Sequence, residues 1–372
     1  PHAPSPAMEP VAVDWARLQA GEDLRAEVAA AYGDGAMGIL LVRGVPGAME
    51  LRRRLLPLAW ALAGLPREAL VRLERPESHY CFGWSHGKEK FQGAPDLAKG
   101  SFYANPLFDD AAEGDEEVRA RYPYAAGMNV WPEELPELEA AFKDMGKLLR
   151  DVAQLLLRQC DAMVEARTGR RAGLEEATFG GSRMVAGRLL HYFPMREEEA
   201  GSEASWCGWH NDHSAITGLV PGMWLDADTG EEAACPAPGA SGLYVKTRGG
   251  TVARASLPPD CLGFQIGEAA QILSGGVLRA TPHHVRGHAS RAGEPRLSRE
   301  SFACFFEPQW DRQIGPPADS ELADVFRGEE VDLIPPLSTR FRPDPKTGTV
   351  EFGKLLGDSF AEYYRHNPAL GG

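Results

Sequence analysis

The feature that most constrains this chain is a change in hydrophobic period near residue 180. Before it, apolar residues recur every three or four positions, which is typical of helices, over residues 15–32, 48–62 and 133–168. After Gly180 and Gly181, short β-rich runs separated by turn residues are found at 184–193, 213–220, 242–246, 251–255, 262–266, 276–281 and 300–306. Closely spaced short strands indicate a sandwich or a barrel. The sequence therefore predicts an α+β protein.

The change in hydrophobic period also helps to divide the chain into three regions, which we expect to form one folding unit. Residues 1–178 are mainly helical, with one glycine-bracketed apolar run at 35–44 that favours a buried strand. Residues 179–310 contain the predicted strands, and 311–372 form an extension with a predicted terminal helix at 359–366. We expect the extension to pack on the β-rich core.

Charge and cysteine usage limit the possible partners and location. With 39 Lys and Arg against 53 Asp and Glu, the net charge of −14 disfavours nucleic acids and membrane surfaces. The longest basic run, at 52–54, is too short to overcome that charge, and no apolar run approaches the roughly 20 residues of a membrane span. The six Cys include no CxxC pair. We expect a cytoplasmic protein without a cleaved leader.

Histidines concentrate in the β-rich region, which contains six of the ten, at 191, 210, 213, 283, 284 and 288. In His210-Asn211-Asp212, an imidazole and a carboxylate would share one face of a strand, because strand side chains alternate. Two His and one carboxylate on a single face bind Fe(II) in non-haem oxygenases. Either His283 or His284 is able to supply the second imidazole, but adjacent strand residues face opposite ways.

The surrounding segments match a known family in order along the chain. They are Asn-Val-Trp-Pro at 129–132, His-Tyr-Phe-Pro at 191–194, Trp-His-Asn-Asp-His at 209–213, Gly-Leu-Tyr-Val at 242–245, Phe-Gln-Ile-Gly-Glu at 264–268, Ala-Thr-Pro-His-His-Val at 280–285 and Arg-Glu-Ser-Phe-Ala at 299–303. Two further pieces lie at 38–45 and 99–103. The chain thus resembles the isopenicillin N synthase-like, plant-type branch of the 2-oxoglutarate/Fe(II)-dependent dioxygenases.

That resemblance implies a double-stranded β-helix core, related to jelly rolls and cupins, flanked by helices. It implies a dioxygenase that uses Fe(II), 2-oxoglutarate and O2, with ascorbate as reductant. Such an enzyme oxidises a small organic molecule, by hydroxylation, desaturation or cyclisation, and converts 2-oxoglutarate to succinate and CO2. An oxidase of the same fold that does not use 2-oxoglutarate, and a catalytically silent metal-binding relative, are the alternatives. We expect a monomer with a small-molecule substrate.

The resemblance also assigns site residues. His210, Asp212 and His283 would bind the metal, because aligning Val285 with the family pattern places His283 on the ligand position. For the far carboxylate of 2-oxoglutarate, Arg299 and Ser301 fit the family spacing, whereas the neighbouring Arg296-Leu297-Ser298 triplet does not.

Further cosubstrate and substrate contacts rest on the same comparison. His191 and Phe193 stand where the family has Asn and Tyr beside the cosubstrate, and Phe193 is unable to donate the hydrogen bond of a Tyr. Candidate substrate contacts lie on three segments, and they are Tyr103, Asn105, His213, Phe305 and Glu307. For the aromatic residues among them, packing in a β core is the competing interpretation.

Overall fold

A computed structural model of the chain describes residues 7–88, 90–91, 94–196, 205–236, 241–247, 249–327 and 333–366. Within these ranges no helix is both long and apolar enough to cross a lipid bilayer. The six cysteines are all free thiols.

The helices are concentrated in the first half of the chain and at its end. Their bounds are α1 Trp15–Gln19, α2 Arg25–Tyr32, α3 Ala48–Leu55, α4 Pro57–Ala63, α5 Arg67–Leu73, α6 Glu116–Arg121, α7 Glu137–Thr168, α8 Leu174–Phe179, α9 Glu268–Leu273, α10 Leu322–Val325, α11 Leu337–Arg340 and α12 Phe352–His366. The strands of the first half are β1 Ala7–Met8, β2 Val11–Asp14, β3 Ile39–Arg43, β4 Gly83–His86, β5 Lys90–Phe91, β6 Ala94–Pro95 and β7 Lys99–Ala104.

The remaining strands follow α8. They are β8 Val185–Tyr192, β9 Met195–Arg196, β10 Ser205–His210, β11 Ile216–Asp226, β12 Glu232–Ala233, β13 Gly242–Lys246, β14 Val252–Ala255, β15 Cys261–Ile266, β16 His283–Arg286, β17 Ala289–Ser290, β18 Leu297–Phe306, β19 Gln313–Ile314 and β20 Val350–Glu351. The prediction of an α+β protein is confirmed at this level.

Two sheets organise these strands. The larger has the order β2-β3-β15-β11-β18-β8-β7-β4, with β12 paired to β11, and the smaller has the order β1-β14-β13-β16-β10. Aromatic rings join them, because Trp206 of β10 stacks on Tyr192 of β8 at 4.9 Å between ring centroids and lies 5.7 Å from Trp224 of β11. The two sheets therefore face each other across a space lined by β8, β10 and β11.

The alternation along β18 defines two faces of the larger sheet. Phe302 lies on the outer face and packs against Phe142 of α7 with 4.9 Å between ring centroids. Arg299, Ser301, Ala303 and Phe305 lie on the inner face, which looks toward the smaller sheet, and Glu307 continues their alternation. The buried apolar stripe of α7, which covers the outer face, contains Leu138, Phe142, Met145, Leu149, Val152 and Leu156.

Some element predictions were wrong. The predicted helix at 15–32 is broken between α1 and α2, and the long helix begins at Glu137, four residues later than expected. No strand forms at 276–281, where Gly275 and Gly276 adopt positive φ values of 64° and 82° in a turn after α9. The terminal helix α12 begins at Phe352 rather than 359, and its first turns bury Phe352, Leu355 and Leu356.

Candidate active site

His210, Asp212 and His283 converge where β10 ends and β16 begins. One ligand atom from each residue lies within 4.8 Å of the others. The Nε2 atoms of His210 and His283 lie 3.8 Å and 3.6 Å from Asp212 Oδ1. His210 and His283 are register partners of adjacent strands, with 4.3 Å between ring centroids. This is the donor set and clustering that a divalent transition metal requires.

Backbone carbonyls fix the orientation of both imidazoles. Nδ1 of His210 donates to Gly208 O at 2.8 Å, and Nδ1 of His283 donates to Thr281 O at 3.1 Å. When each ring is neutral, its Nε2 therefore carries the lone pair that a metal would bind. The buried Oδ2 atom of Asp212 has no hydrogen-bond partner among the described residues. A metal cation would satisfy that carboxylate, so the site fits one.

The electrostatics of the two histidines differ. Burial, together with the charge of His210, lowers the pKa of His283 to about 4, so His283 is neutral at physiological pH. Burial also disfavours the charge on His210, but Cys207, Asp212 and Gly208 O outweigh it and raise its pKa to about 9. Metal binding at this site would therefore displace a proton from His210.

The local structure that brings Asp212 close to His210 differs from the predicted one. Asp212 does not share a strand face with His210, because β10 ends at His210 and residues 211–213 form a loop. His284 points away from the cluster and lies 4.2 Å from Trp209 and 5.3 Å from Tyr244 between ring centroids. His283, and not His284, is thus the histidine that the structure brings to the other two.

Arg299 and Ser301 lie together on the inner face of the larger sheet. The partly buried guanidinium of Arg299 lies 5.4 Å from the centroid of the Tyr192 ring, and burial lowers its pKa. The absence of a side chain at Gly222 leaves room for this guanidinium, because a Cβ there would lie only 2.7 Å from Arg299 Nε. Arg296 is exposed and pairs with Asp228 at 3.2 Å, so it is separate from this group.

His191 and Phe193 are not on the face that carries Arg299. His191 is the register partner of Glu300 on the outer face, and its Nδ1 lies 2.9 Å from Glu300 Oε2. The ring of Phe193 meets the ring of His191 edge-on at 4.4 Å. Tyr192, the residue between them, is the register partner of Arg299. The one-residue difference exchanges the faces, so Tyr192, which the sequence did not single out, is the residue of this segment that lies beside Arg299.

Arg52 supports the same region from the helical half of the chain. This buried side chain on α3 donates from Nε to Pro221 O at 2.8 Å and from Nη2 to Gly222 O at 2.7 Å. These carbonyls lie where the register between β11 and β18 shifts, between Val220 and Met223. The short basic run at 52–54 thus supplies a structural contact that its charge alone did not reveal.

The predicted substrate residues separate into two groups. Tyr103, Phe305 and Glu307 are on or next to the inner face, and Tyr103 lies 5.0 Å from the guanidinium of its register partner Arg188. Burial and then the charge of Asp212 raise the pKa of Glu307 to about 8. This places the Glu307 carboxyl in the field of the metal-ligand cluster.

Asn105 and His213, the other two predicted substrate contacts, are both engaged in hydrogen bonds within the protein. Asn105 is 1% exposed; its Nδ2 donates to Arg183 O at 2.8 Å, and its Oδ1 accepts from the N–H groups of residues 107 and 108, both at 3.0 Å. His213 Nδ1 lies 3.1 Å from Glu268 Oε2, so its ring turns toward α9. Local hydrogen bonds to the backbone explain Asn105 as a turn residue.

Gln265 is an inner-face residue that the sequence did not single out. It is the register partner of Thr217, which in turn is opposite Phe305. The side chain is 2% exposed, yet neither its oxygen nor its nitrogen has a hydrogen-bond partner among the described residues. Because an unsatisfied buried amide is costly, this group is available for a ligand in the inner space.

Comparisons with known proteins bear on the fold. No family model matches the chain. One curated relative, jasmonate-induced oxygenase 4 from Arabidopsis thaliana, is 25% identical over 186 residues, which are 50% of this chain and 45% of the relative. The chain thus matches less than half the length of that relative.

Solved structures match over nearly the whole chain. A 2OG-Fe(II) oxygenase family protein from Caulobacter crescentus has a TM-score of 0.64 at 19% identity, covering 96% of this chain and 99% of the other. A full-length Neurospora crassa protein solved with alpha-KG and thymine has a TM-score of 0.64 at 17% identity (95% and 97% covered), and JOX2 with 2OG, Fe and JA has 0.59 at 18% (95% and 85%). The chain is therefore similar in fold, over nearly its whole length, to solved structures that include a 2OG-Fe(II) oxygenase family protein and a complex with 2OG and Fe.

Proposed function

We propose that this chain is a non-haem Fe(II)- and 2-oxoglutarate-dependent oxygenase that oxidises a small organic molecule. The observation that carries the proposal is the convergence of His210, Asp212 and His283. Both Nε2 atoms lie within 3.8 Å of Asp212 Oδ1, and the buried Oδ2 of the same carboxylate has no hydrogen-bond partner among the described residues. A His–Asp–His set leaves coordination positions open, unlike a structural site in which protein ligands fill them all.

His210, Asp212 and His283 would hold the metal, and Fe(II) there supplies the redox chemistry that couples decarboxylation of 2-oxoglutarate to oxidation of the substrate. The carbonyls of Gly208 and Thr281 keep the two imidazoles oriented toward it. We assign O2 as the oxidant and ascorbate as the reductant that maintains Fe(II), both by family resemblance.

Arg299 and Ser301 would bind the far carboxylate of 2-oxoglutarate. An arginine fork matches a carboxylate with two parallel hydrogen bonds, and the Ser301 hydroxyl on the same face adds a third donor. The Tyr192 ring beside Arg299 restricts the guanidinium from one side and Gly222 leaves space on the other. The ring of Phe193 contacts His191 on the outer face, so its lack of a hydroxyl group does not argue against 2-oxoglutarate at Arg299.

The substrate would occupy the part of the inner space near Asp212. Phe305 provides an apolar surface there, the Gln265 amide has no hydrogen-bond partner among the described residues, and the buried Glu307 carboxyl lies in the field of Asp212. The structural relatives named above contain thymine and JA, which are both small molecules. The acidic surface, with a net charge of −14, also favours a small molecule over a nucleic acid.

We also propose that the two facing sheets form a double-stranded β-helix, with residues 1–178 and 311–372 around a catalytic core at 179–310. The strand orders β8-β18-β11-β15 and β10-β16-β13-β14 support it, since each places four strands of the core in one sheet. We further propose that the chain belongs to the plant-type branch of these oxygenases, is a monomer and is located in the cytoplasm.

Succinate formation tests the reaction. The protein is incubated with Fe(II), ascorbate, 2-oxoglutarate and panels of acids, terpenoids, phenolics and amino-acid derivatives, with His210→Ala as the matched blank. We expect at least one compound to raise succinate above the substrate-free rate, and no succinate with any compound would contradict the proposal. Iron-dependent oxygen uptake without succinate would instead indicate the oxidase, and absence of both a silent relative.

A further inference from the structure

A buried guanidinium connects the C-terminal extension to residues 211–213, the loop that contains the proposed ligand Asp212. Arg340, the last residue of α11, has no exposed surface, and its Nη1 and Nη2 donate to Oε2 and Oε1 of Glu268 at 2.6 Å each. Its Nη1 also lies 2.9 Å from Ser359 Oγ on α12, and Nη2 donates to Pro335 O at 3.1 Å. Two helices of the extension thus hold one side chain in place.

Glu268 in turn forms hydrogen bonds with all three residues of the 211–213 loop. Its Oε1 accepts from Asn211 Nδ2 at 3.2 Å, and its Oε2 lies 3.1 Å from His213 Nδ1. Its backbone N–H donates to Asp212 O at 2.8 Å. The residue before Asp212, the residue after it and the peptide of Asp212 itself are therefore anchored to a single residue at the start of α9.

The loop needs such an anchor because it lies outside the sheet. Residues 211–213 form no strand, so ladder hydrogen bonds do not fix the direction of the Asp212 side chain. The chain approaches closely at this point, since a Cβ on Gly267 would lie 2.1 Å from Ser214 O and 2.9 Å from Asp212 O. Small shifts of α9 would therefore be transmitted directly to the loop.

The charge balance strengthens the arrangement. Glu268 is 2% exposed, and an uncompensated carboxylate at that depth would favour its neutral form. The guanidinium of Arg340 supplies the compensating charge, since it meets both oxygens of the Glu268 carboxylate at 2.6 Å. The ionised carboxylate is thus able to accept hydrogen bonds from the loop and from Arg340 together.

We propose that Arg340 is a positioning residue of the metal centre, which acts through Glu268 to fix the 211–213 loop and so the direction in which Asp212 presents its carboxylate. The inference rests on the proposed metal site. It assigns part of the metal affinity to the C-terminal extension, which supplies none of the three proposed ligands.

Metal affinity measured apart from turnover tests this assignment. Arg340→Met removes the guanidinium, and Arg340→Lys keeps the charge without the two-pronged geometry. Arg342→Met is the matched control, because Arg342 is exposed and its contacts, with Thr339 O at 2.9 Å and Glu362 at 3.7 Å, do not involve Glu268. The dissociation constant for Co(II), a redox-stable substitute for Fe(II), is measured by calorimetry on protein whose far-ultraviolet circular dichroism is native.

We expect Arg340→Met to weaken Co(II) binding by about 10- to 100-fold, the usual effect of losing a residue that orients metal ligands. Arg340→Lys should recover part of that loss, and Arg342→Met should bind as the wild type does. A merely structural Arg340 would lower the melting temperature of the metal-free protein and leave the Co(II) dissociation constant within twofold, which would overturn the inference.

A second variant covers the case in which Arg340→Met fails to fold. Asn211→Ala removes one loop contact and leaves the Arg340–Glu268 pair intact, so no buried charge is left alone. It should weaken Co(II) binding several-fold with little change in the melting temperature, and unchanged binding would contradict the inference. Wild-type protein that does not bind Co(II) would instead defeat the proposed metal site itself.

Discussion

Substitution of Gly222 by Ala tests the cosubstrate pocket without altering any residue that would contact the cosubstrate. The new Cβ would lie 2.7 Å from Arg299 Nε, whereas ordinary contact begins at 3.4 Å, so the guanidinium must move by about 0.7 Å. A hydrogen bond of about 2.9 Å lengthened by this amount is no longer a hydrogen bond. One bond of the carboxylate fork would be lost, at about 1.5–3 kcal/mol for a charged pair, or roughly 10- to 150-fold in affinity.

Calorimetric titration of 2-oxoglutarate into the Co(II)-loaded protein measures this loss. The matched control is Gly218→Ala on the same strand, whose new Cβ would meet Leu149 of α7 at 3.1 Å and not Arg299. We expect the control to change stability but not 2-oxoglutarate affinity. Equal affinity of Gly222→Ala and the wild type would refute the placement of the cosubstrate at Arg299. Weaker binding in Arg296→Ala but not in Arg299→Ala would show that the wrong triplet was chosen.

Two further predictions concern the metal ligands and Glu307. His210→Ala and His283→Ala should each abolish Co(II) binding in calorimetry while His284→Ala retains it, because only the first two rings face Asp212; loss in His284→Ala alone would reverse the assignment. Burial raises the pKa of Glu307 to about 8 from an ordinary 4.5, so in metal-free protein its contribution to stability is complete below pH 4.5 and is lost as the pH rises through 8. The melting temperature of the wild type should therefore fall relative to Glu307→Gln between pH 5 and 9, and parallel curves would contradict this.

The sequence was most informative about the candidate site where the functional residues lie close together in short segments. The triplet at 210–212, the Pro-His-His run at 282–284 and the Arg-x-Ser triplet at 299–301 each carry their residues within a few positions, so local pattern was sufficient. The structure brings the first two together and puts the third on the inner face. Their roles in binding metal and cosubstrate stay predictions until measured.

The face of a sheet on which a side chain lies depends, by contrast, on how the strands pair. The sequence of a single strand does not specify that register. His191 and Phe193 were chosen by comparison with the family, but pairing of β8 with β18 turns Tyr192 to Arg299 and His191 to Glu300. Contacts between distant segments are also absent from local pattern. Arg340 lies 72 residues from Glu268, and nothing in the short helix around it predicts a buried ion pair.

The strand order of the larger sheet has a consequence for synthesis of the chain. Ile39 of β3 pairs with Gln265 of β15, so one edge of β3, a strand with four buried residues out of five, stays open until the ribosome has made most of the chain. At about 5–20 residues per second, that interval lasts roughly 10 to 45 s. An apolar strand with an open edge is a template for aggregation during this time. Because long-range pairing slows folding, we expect added chaperones and a lower growth temperature to raise the soluble yield.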